Sequence, residues 1–321
     1  MNKIKKNGVL ILDFGSQYTQ LIARRIREEN VYSKVVSCEI SLKEVINMEP
    51  SCLIFSGGPS SVYEENAPNF DSNILEAKIP ILGICYGLHI LVQYQGGLVE
   101  SSNQGEYGLA EIYKNEESIL LQNISTISKV WMSHGDKVTK LPEGWRILAN
   151  SSNDIMAVIS NNDQTMVATQ FHPEVIHTEE GAQIIRNFIF NIGECKPNWT
   201  VDNFIDFQVD LIRKVVSNDK VLVGVSGGVD STVVAALLNR AIGERAIAVL
   251  IDHGLLRKDE AKTCVSALKN GLNVNINSYD ESETFLSKLQ GIIDPEEKRK
   301  IIGNQFIYSF EKISNNFGDI K

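Results

Sequence analysis

The feature that most constrains the fold is a set of short, unbroken apolar runs, each followed by a segment with helical spacing. VLILDF, SCLIFSG (51–57) and IPILGI (79–84) lie in the first part of the chain, KVLVGVS (220–226) and AIAVLID (246–252) in the second. Strands with no polar face are covered on both sides, which is the pattern of a parallel sheet flanked by helices. YTQLIARRIREE (18–29), LHILVQY (88–94), NFIDFQVDLIRKVV (203–216) and STVVAALLNRAI (231–242) supply such helices, so the expected class is α/β. From about 107 to 172 the pieces are shorter (AEIY, KVWMSH, MAVIS, VATQF) and read as further strands beside the main sheet. A length of 321 residues suits two domains. Helix GAQIIRNFIFNIG (181–193) is followed by CKPNWT (195–200), which reads as a linker, so the domains are expected at 1–197 and 198–321.

Composition removes several function classes. With 31 basic and 40 acidic residues the net charge is −9, which argues against a general nucleic-acid binder while leaving room for a local basic phosphate site. Five cysteines without a CxxC pair point to a reducing cytosol and no metal cluster. No apolar run approaches membrane-spanning length, and VLILDF behind the basic start MNKIKK is too short for a signal-peptide core. The expected location is the cytoplasm, and the glycosylation patterns at Asn123 and Asn198 are chance matches.

One cysteine stands apart. In ILGICYGLHIL (81–91), Cys85 occupies a strand-to-helix elbow between Gly83 and Gly87. Glycines there allow a strained backbone, and a helix N-terminus stabilises a thiolate. A nucleophilic thiol needs a base, and the base needs an orienting group. TQFHPE (169–174) offers His172 and Glu174 just after an apolar run. On these residues alone, a packed core thiol with a solvated histidine stands at even weight. SGGPSSVY (56–63) shifts the balance, because its glycines follow a strand where backbone N–H groups can face a developing oxyanion.

The segments ILDFGSQYTQLIARRIRE, IFSGGPSSVY, ILGICYGLHIL, GEYGLAEI, VWMSHGDKV and ATQFHPE, in this order, resemble the class I, triad-type glutamine amidotransferase domain of the GMP synthase family, over residues 8 to about 195. The run from Ile11 to Glu28 narrows the resemblance to that family. The resemblance implies Cys85 as nucleophile, His172 as proton carrier and Glu174 as its orienting group. It further implies oxyanion N–H groups from Gly58 and Tyr86, and glutamine contacts from His89 and from Ser133, His134 and Gly135. Where the family usually has Gln, this chain has His89, whose neutral imidazole still exchanges hydrogen bonds, so glutamine binding is expected weakened rather than lost.

In the second part, LVGVSGGVDSTVVAALL (222–238) is a strand, a Ser/Gly loop and a helix, the layout that holds phosphate on backbone N–H groups at a helix N-terminus. It lacks the lysine of a GxxxxGK[ST] loop. SGGVDST resembles the PP-loop of the ATP pyrophosphatases, which implies a Rossmann-like domain with Ser226, Gly227, Gly228, Val229, Asp230, Ser231 and Thr232 around the ATP phosphates and Asp230 near Mg2+. In the same resemblance IDHGLLRKDE (251–260) offers Arg257 to xanthosine monophosphate (XMP), and DPEEKRKIIGNQF (294–306) is similar to a lid carrying Lys298, Arg299 and Lys300. A KRK triplet by itself is most often a solvated helix face.

The resemblance therefore implies two domains, an open, mostly parallel-sheet amidotransferase and a PP-loop ATP pyrophosphatase, using glutamine, ATP and XMP, with no nucleic-acid or membrane partner. Ammonia from glutamine would displace AMP from adenylated XMP. Members of the family continue past the lid, with a homodimerisation domain, so the second domain is expected to be incomplete at its C-terminal end and the glutaminase half to be retained. Two other readings stay open: an amidotransferase serving NAD or asparagine synthesis, and a non-catalytic glutamine or nucleotide sensor.

Overall fold

The structure, a computed structural model, describes residues 8–318 and Ile320. The basic start of the chain and Asp319 and Lys321 of its terminal NNFGDIK lie outside the described residues. Two compact units, Met1–Thr200 and Val201–Lys321, make up the chain.

The first unit runs β1 (Val9–Asp13), α1 (Thr19–Glu28), β2 (Ser33–Ser37), α2 (Leu42–Met48), β3 (Cys52–Phe55), β4 (Ile81–Ile84), α3 (Tyr86–Tyr94), β5 (Leu98–Lys114), β6 (Ile127–Lys140), β7 (Trp145–Ser151), β8 (Met156–Asn161), β9 (Met166–Thr169) and α4 (Gly181–Arg186). Among the described residues these strands form one nine-stranded sheet in the order β2-β1-β3-β4-β9-β8-β7-β5-β6. Five strands, β2, β1, β3, β4 and β9, run parallel, and the remaining pairings are antiparallel.

Burial explains the apolar runs. Along β1 and β3, alternate side chains enter opposite layers, as the two-residue period of a strand requires. Val9, Ile11, Ile54 and Leu82 pack with Ile22, Ala23 and Ile26 of α1 on one face. Leu10, Leu12, Leu53 and Phe55 pack with Val45 of α2 and Ile90 and Leu91 of α3 on the other. Each fully buried aliphatic side chain contributes about 1.5–3 kcal/mol, so this doubly covered layer anchors the loops at its strand ends.

The region read as short strands is different in detail: AEIY and KVWMSH belong to long partners, β5 and β6, joined in an antiparallel pair with an irregularity between Ser101 and Glu106. Only one face of β6 is covered, so buried Val130, Met132 and Val138 alternate with outward polar residues and the apolar signal breaks up. The same alternation turns His134 and Asp136 inward. The helix expected over 181–193 is α4 followed by π-helical turns from Asn187 to Ile192, where the Asn187 amide donates to the carbonyls of Leu120 (2.9 Å) and Gln122 (2.7 Å).

The second unit runs α5 (Val201–Val216), β10 (Val221–Gly224), α6 (Val229–Ile242), β11 (Ala246–Asp252), α7 (Glu260–Ser266), β12 (Ile276–Asp280), α8 (Ser282–Leu289) and α9 (Pro295–Ser314). Its strands form a parallel sheet in the order β10-β11-β12. Central β11 is buried almost throughout, whereas β10, an edge strand among the described residues, is only part-buried despite its apolar sequence. Ile302, Phe306, Phe310 and Ile313 of α9 cover Ile247, Val249 and Ile251 of β11.

Close backbone packing sets the elbow before α3. A Cβ at Gly87 would lie 2.2 Å from the Phe55 carbonyl oxygen of β3, and one at Gly83 would lie 2.6 Å from the Gly87 carbonyl oxygen. Neither obstacle is a movable side-chain tip. All three tryptophans, Trp131, Trp145 and Trp199, belong to the first unit, so their fluorescence reports its unfolding. Gly87→Ala should lower its urea-unfolding free energy by about 3 kcal/mol. A midpoint equal to the parent's would mean that α3 shifts freely.

Candidate active site

Three adjacent parallel strands, β3, β4 and β9, deliver the site from their C-terminal ends, where ligands gather in open α/β sheets. After β4, Cys85 caps α3 with φ 52° and ψ −103°, a left-handed value that costs a non-glycine residue about 1–3 kcal/mol. The strain therefore sits on Cys85 itself; Gly83 and Gly87 serve the close approach of α3 to β3 and β4. The Cys85 amide donates to the Thr169 carbonyl of β9 at 2.8 Å, tying the elbow to the strand that leads to His172.

The sulfur is nearly enclosed, with Cys85 6% exposed. His172 Nδ1 bonds Glu174 Oε1 at 2.7 Å, and Glu174 is fully buried. Burial pushes the His172 pKa down, but hydrogen bonds to the Cys85 sulfur and Glu174, with the charge of both, outweigh it and hold the imidazole at about 10. Cys85, His172 and Glu174 thus form one constellation.

Gly57 and Gly58 follow β3. A Cβ at Gly57 would lie 3.0 Å from His172 Cε1, and one at Gly58 would lie 2.7 Å from the Phe14 carbonyl oxygen. Gly58, Tyr86, His89, Ser133, His134 and Gly135 all line, with Cys85, a cavity of about 350 Å3. Tyr86 is the first residue of α3, so its N–H has no partner within the helix. The Ser133 carbonyl approaches Cys85 Sγ at 3.6 Å. His89 is placed at the wall, but its Nε2 is engaged by Gln170 Oε1 at 2.8 Å. His134 Nδ1 donates to the Asp136 carbonyl at 2.7 Å.

Several residues around the triad are not singled out as site residues in the sequence. The Tyr18 ring stands edge-on to the His172 ring, with centroids 5.2 Å apart. Arg25 Nε donates to the Glu174 carbonyl at 3.0 Å, and Thr178 Oγ1 to the His172 carbonyl at 2.6 Å. Tyr18 and Arg25 lie inside the stretch Ile11–Glu28, which gives that segment a physical reason to accompany the triad.

In the second unit, Ser226 to Thr232 bridge β10 and α6. Gly227 has φ +81°, and Ser231 Oγ lies 3.2 Å from both the amide and the hydroxyl of Ser226. Gly228, Val229 and Asp230 are exposed where α6 begins, with Asp230 in its first turn. Arg257 shares a hollow of about 540 Å3 with Gly227 and Thr232. The basic triplet is not brought there. Lys298 lines a different hollow with Leu286 and Ile302, Arg299 pairs with Glu296 at 2.9 Å, and Lys300 is exposed on α9. Among the described residues no group of three or more His, Cys, Asp or Glu side chains is placed to hold a metal, and no helix is long and apolar enough to cross a membrane.

Comparison with known proteins follows the same division. Residues 10–192 match the family described as glutamine amidotransferase class-I, and residues 201–304 the family described as NAD synthase. The GMP synthase (glutamine-hydrolyzing) of Brachyspira hyodysenteriae is 46% identical over 318 residues, covering 98% of this chain and 62% of that protein. That of Lactobacillus delbrueckii subsp. bulgaricus is 49% identical over 314 residues, covering 98% and 61%. The chain thus spans about 61% of the length of these curated relatives. The crystal structure of a Thermoplasma acidophilum protein described as a GMP synthase subunit superposes with a TM-score of 0.54 at 28% identity, over 59% of this chain and 94% of that one. The match over residues 10–192 takes in the cysteine elbow, the cavity beside it and the His172–Glu174 pair, and the chain belongs to the class-I glutamine amidotransferase family.

Proposed function

We propose that the first unit hydrolyses glutamine to glutamate and ammonia, and that it does so as the amidotransferase part of a glutamine-hydrolysing GMP synthase. The observation that carries the proposal is the Cys85 sulfur held by a strained helix cap between His172 and a cavity of about 350 Å3. Cys85 Sγ attacks the side-chain carboxamide carbon of glutamine. The oxygen gathers negative charge beside the N–H groups of Gly58 and Tyr86, and His172 gives a proton to the departing ammonia. Water then attacks the resulting thioester, His172 takes its proton, and glutamate leaves. Glu174 holds the imidazole in orientation and supports its positive charge.

The second unit is proposed as the beginning of the ATP pyrophosphatase, which activates the C2 oxygen of XMP as an adenylate, releasing pyrophosphate, so that ammonia displaces AMP and GMP forms. The loop from Ser226 to Thr232, opening α6, suits phosphate oxygens. Asp230, an exposed carboxylate in the first turn of α6, would be the residue to meet Mg2+ brought with ATP, which would neutralise phosphate charge there. A homodimer and a cytoplasmic setting belong to the same proposal. The NAD synthase description matched by residues 201–304 supports a second acceptor reading. The matches that span 98% of this chain support GMP synthase, and XMP tested against other acceptors separates the two.

Glutamine hydrolysis by the purified chain tests the proposal directly. An electrophilic glutamine analogue should label Cys85 and leave Cys38, Cys52, Cys195 and Cys264 largely unmodified, and Cys85→Ala should abolish ammonia release while leaving the tryptophan-detected unfolding midpoint near the parent's. Even labelling of all five cysteines would overturn the assignment.

The raised His172 pKa sets a pH dependence. The imidazolium supplies the proton for leaving ammonia, so kcat should fall as pH rises through about 10. Glu174→Gln removes one of the negative charges holding that proton. The alkaline limb should then move to lower pH, with kcat reduced roughly 10²- to 10⁴-fold. An unmoved limb would show that Glu174 does not govern His172.

A further inference from the structure

The Cys85 sulfur has a neighbour that the mechanism above leaves unused. Gln170 lies between β9 and His172, is completely buried, and places Nε2 4.0 Å from Cys85 Sγ. Its Oε1 lies 2.8 Å from His89 Nε2. A buried glutamine amide poised between a nucleophilic sulfur and a buried imidazole has few arrangements open to it. A thiolate only accepts hydrogen bonds, so the NH2 end of the amide must face the sulfur and the carbonyl end must accept from His89. His89 can donate there only if its ring proton is on Nε2. Burial also pushes the His89 pKa down to about 4, so the ring carries a single proton at neutral pH.

We propose that Gln170 is a further catalytic residue, donating a hydrogen bond to the Cys85 thiolate, and that His89 is the positioning residue that holds the Gln170 amide in the donating orientation. The proposal rests on the reading of Cys85 as the nucleophile. It assigns His89 a task other than gripping the substrate through Nε2, since that nitrogen is already committed.

The sulfur then has distinct partners for its two states. As a thiol it donates to the Ser133 carbonyl at 3.6 Å. When its proton passes to His172, the thiolate is met by the imidazolium on one side and the Gln170 amide on the other. A neutral donor adds to the imidazolium without competing for its proton. The titratable groups around this sulfur are His172 with Glu174, His89, Tyr86 on α3, Tyr107 on β5, and His134 and Asp136 on β6. His89 is kept neutral by burial and reaches the sulfur only through Gln170.

The test reads thiolate formation directly. The rate of Cys85 alkylation by iodoacetamide, followed by peptide mapping across pH, gives the apparent pKa of the sulfur. Gln170→Met keeps volume and removes the donor. It should raise the apparent pKa by about 1 unit, a roughly tenfold loss of labelling rate below that pKa. kcat should fall in step while the KM for glutamine stays within about twofold. Gln170→Glu should raise it at least as far, because a carboxylate opposes the thiolate, and His89→Phe should shift it in the same direction by less. Should Gln170→Met fail to fold, the other two variants decide on the same scale. Profiles that coincide with the parent's, with Cys85→Ala inactive, would overturn the role of Gln170 alone. Glutamine hydrolysis surviving in Cys85→Ala would instead overturn the underlying reading of the nucleophile.

Discussion

Everything at the site depends on the contact between the backbone of α3 and the carbonyl of Phe55. Cys85 can keep a positive φ only if the elements on both sides of it are held in place, because relaxing the elbow would recover about 1–3 kcal/mol. They are held by the absence of side chains at Gly83 and Gly87, which lets a helix sit against backbone atoms of two strands. Every residue from Tyr86 to Val92 is buried, so the helix has no solvated face along which to shift. The strain at one residue is thus carried by the packing of an entire layer.

That layer also explains why residues so far apart in sequence meet. Gly57 and Gly58, Cys85 and His172 each follow a strand, and β3, β4 and β9 are neighbours in the sheet. Parallel pairing puts their C-terminal ends on one side, so three loops converge without any of them being long. The antiparallel half then contributes its own edge of the cavity through β6, whose alternation turns His134 inward and leaves the Ser133 carbonyl beside the sulfur. The stretch β1–α1 closes the remaining side with Tyr18 against His172 and Arg25 on the Glu174 carbonyl.

Much of this was legible in the sequence where one residue type had to do one thing. Unbroken apolar runs announced doubly covered strands, and a cysteine between two glycines marked the elbow, although those glycines serve close backbone packing and the strained backbone is that of Cys85 itself. What was not legible depends on pairs. Nothing in TQFHPE distinguishes the Gln170 amide from a solvated one until β9 is laid beside β4 and His89 is found across from it. The length of β5 and β6 was hidden because one-sided burial dilutes apolar signal with outward polar residues. In the second unit the loop from Ser226 to Thr232 was recognisable from its glycines. The destination of Lys298 to Lys300 was not, since charge alone says nothing about which face of α9 they occupy.

Two histidines that flank the Cys85 sulfur, His172 directly and His89 through Gln170, are driven in opposite directions. Burial acts on both. For His89 it dominates and takes the pKa to about 4; for His172 the hydrogen bonds and charge of Cys85 and Glu174 reverse it and reach about 10. The consequences for stability differ in sign. A pKa raised on folding contributes stability that is full below the ordinary value of about 6.5 and declines as pH rises towards 10. For His89 the unfolded chain binds the proton more tightly, so stability is lost as pH falls from about 6.5 towards 4, by roughly 3 kcal/mol in all. Between them the two residues favour a maximum near the ordinary histidine pKa, which the tryptophan-detected urea midpoint can follow across pH. His89→Gln should flatten the acid side of that profile and leave the alkaline side as it was. An unchanged acid side would mean that His89 takes up its proton in the folded chain as readily as in the unfolded one, and that the neutral imidazole on which the Gln170 amide depends is not enforced by burial.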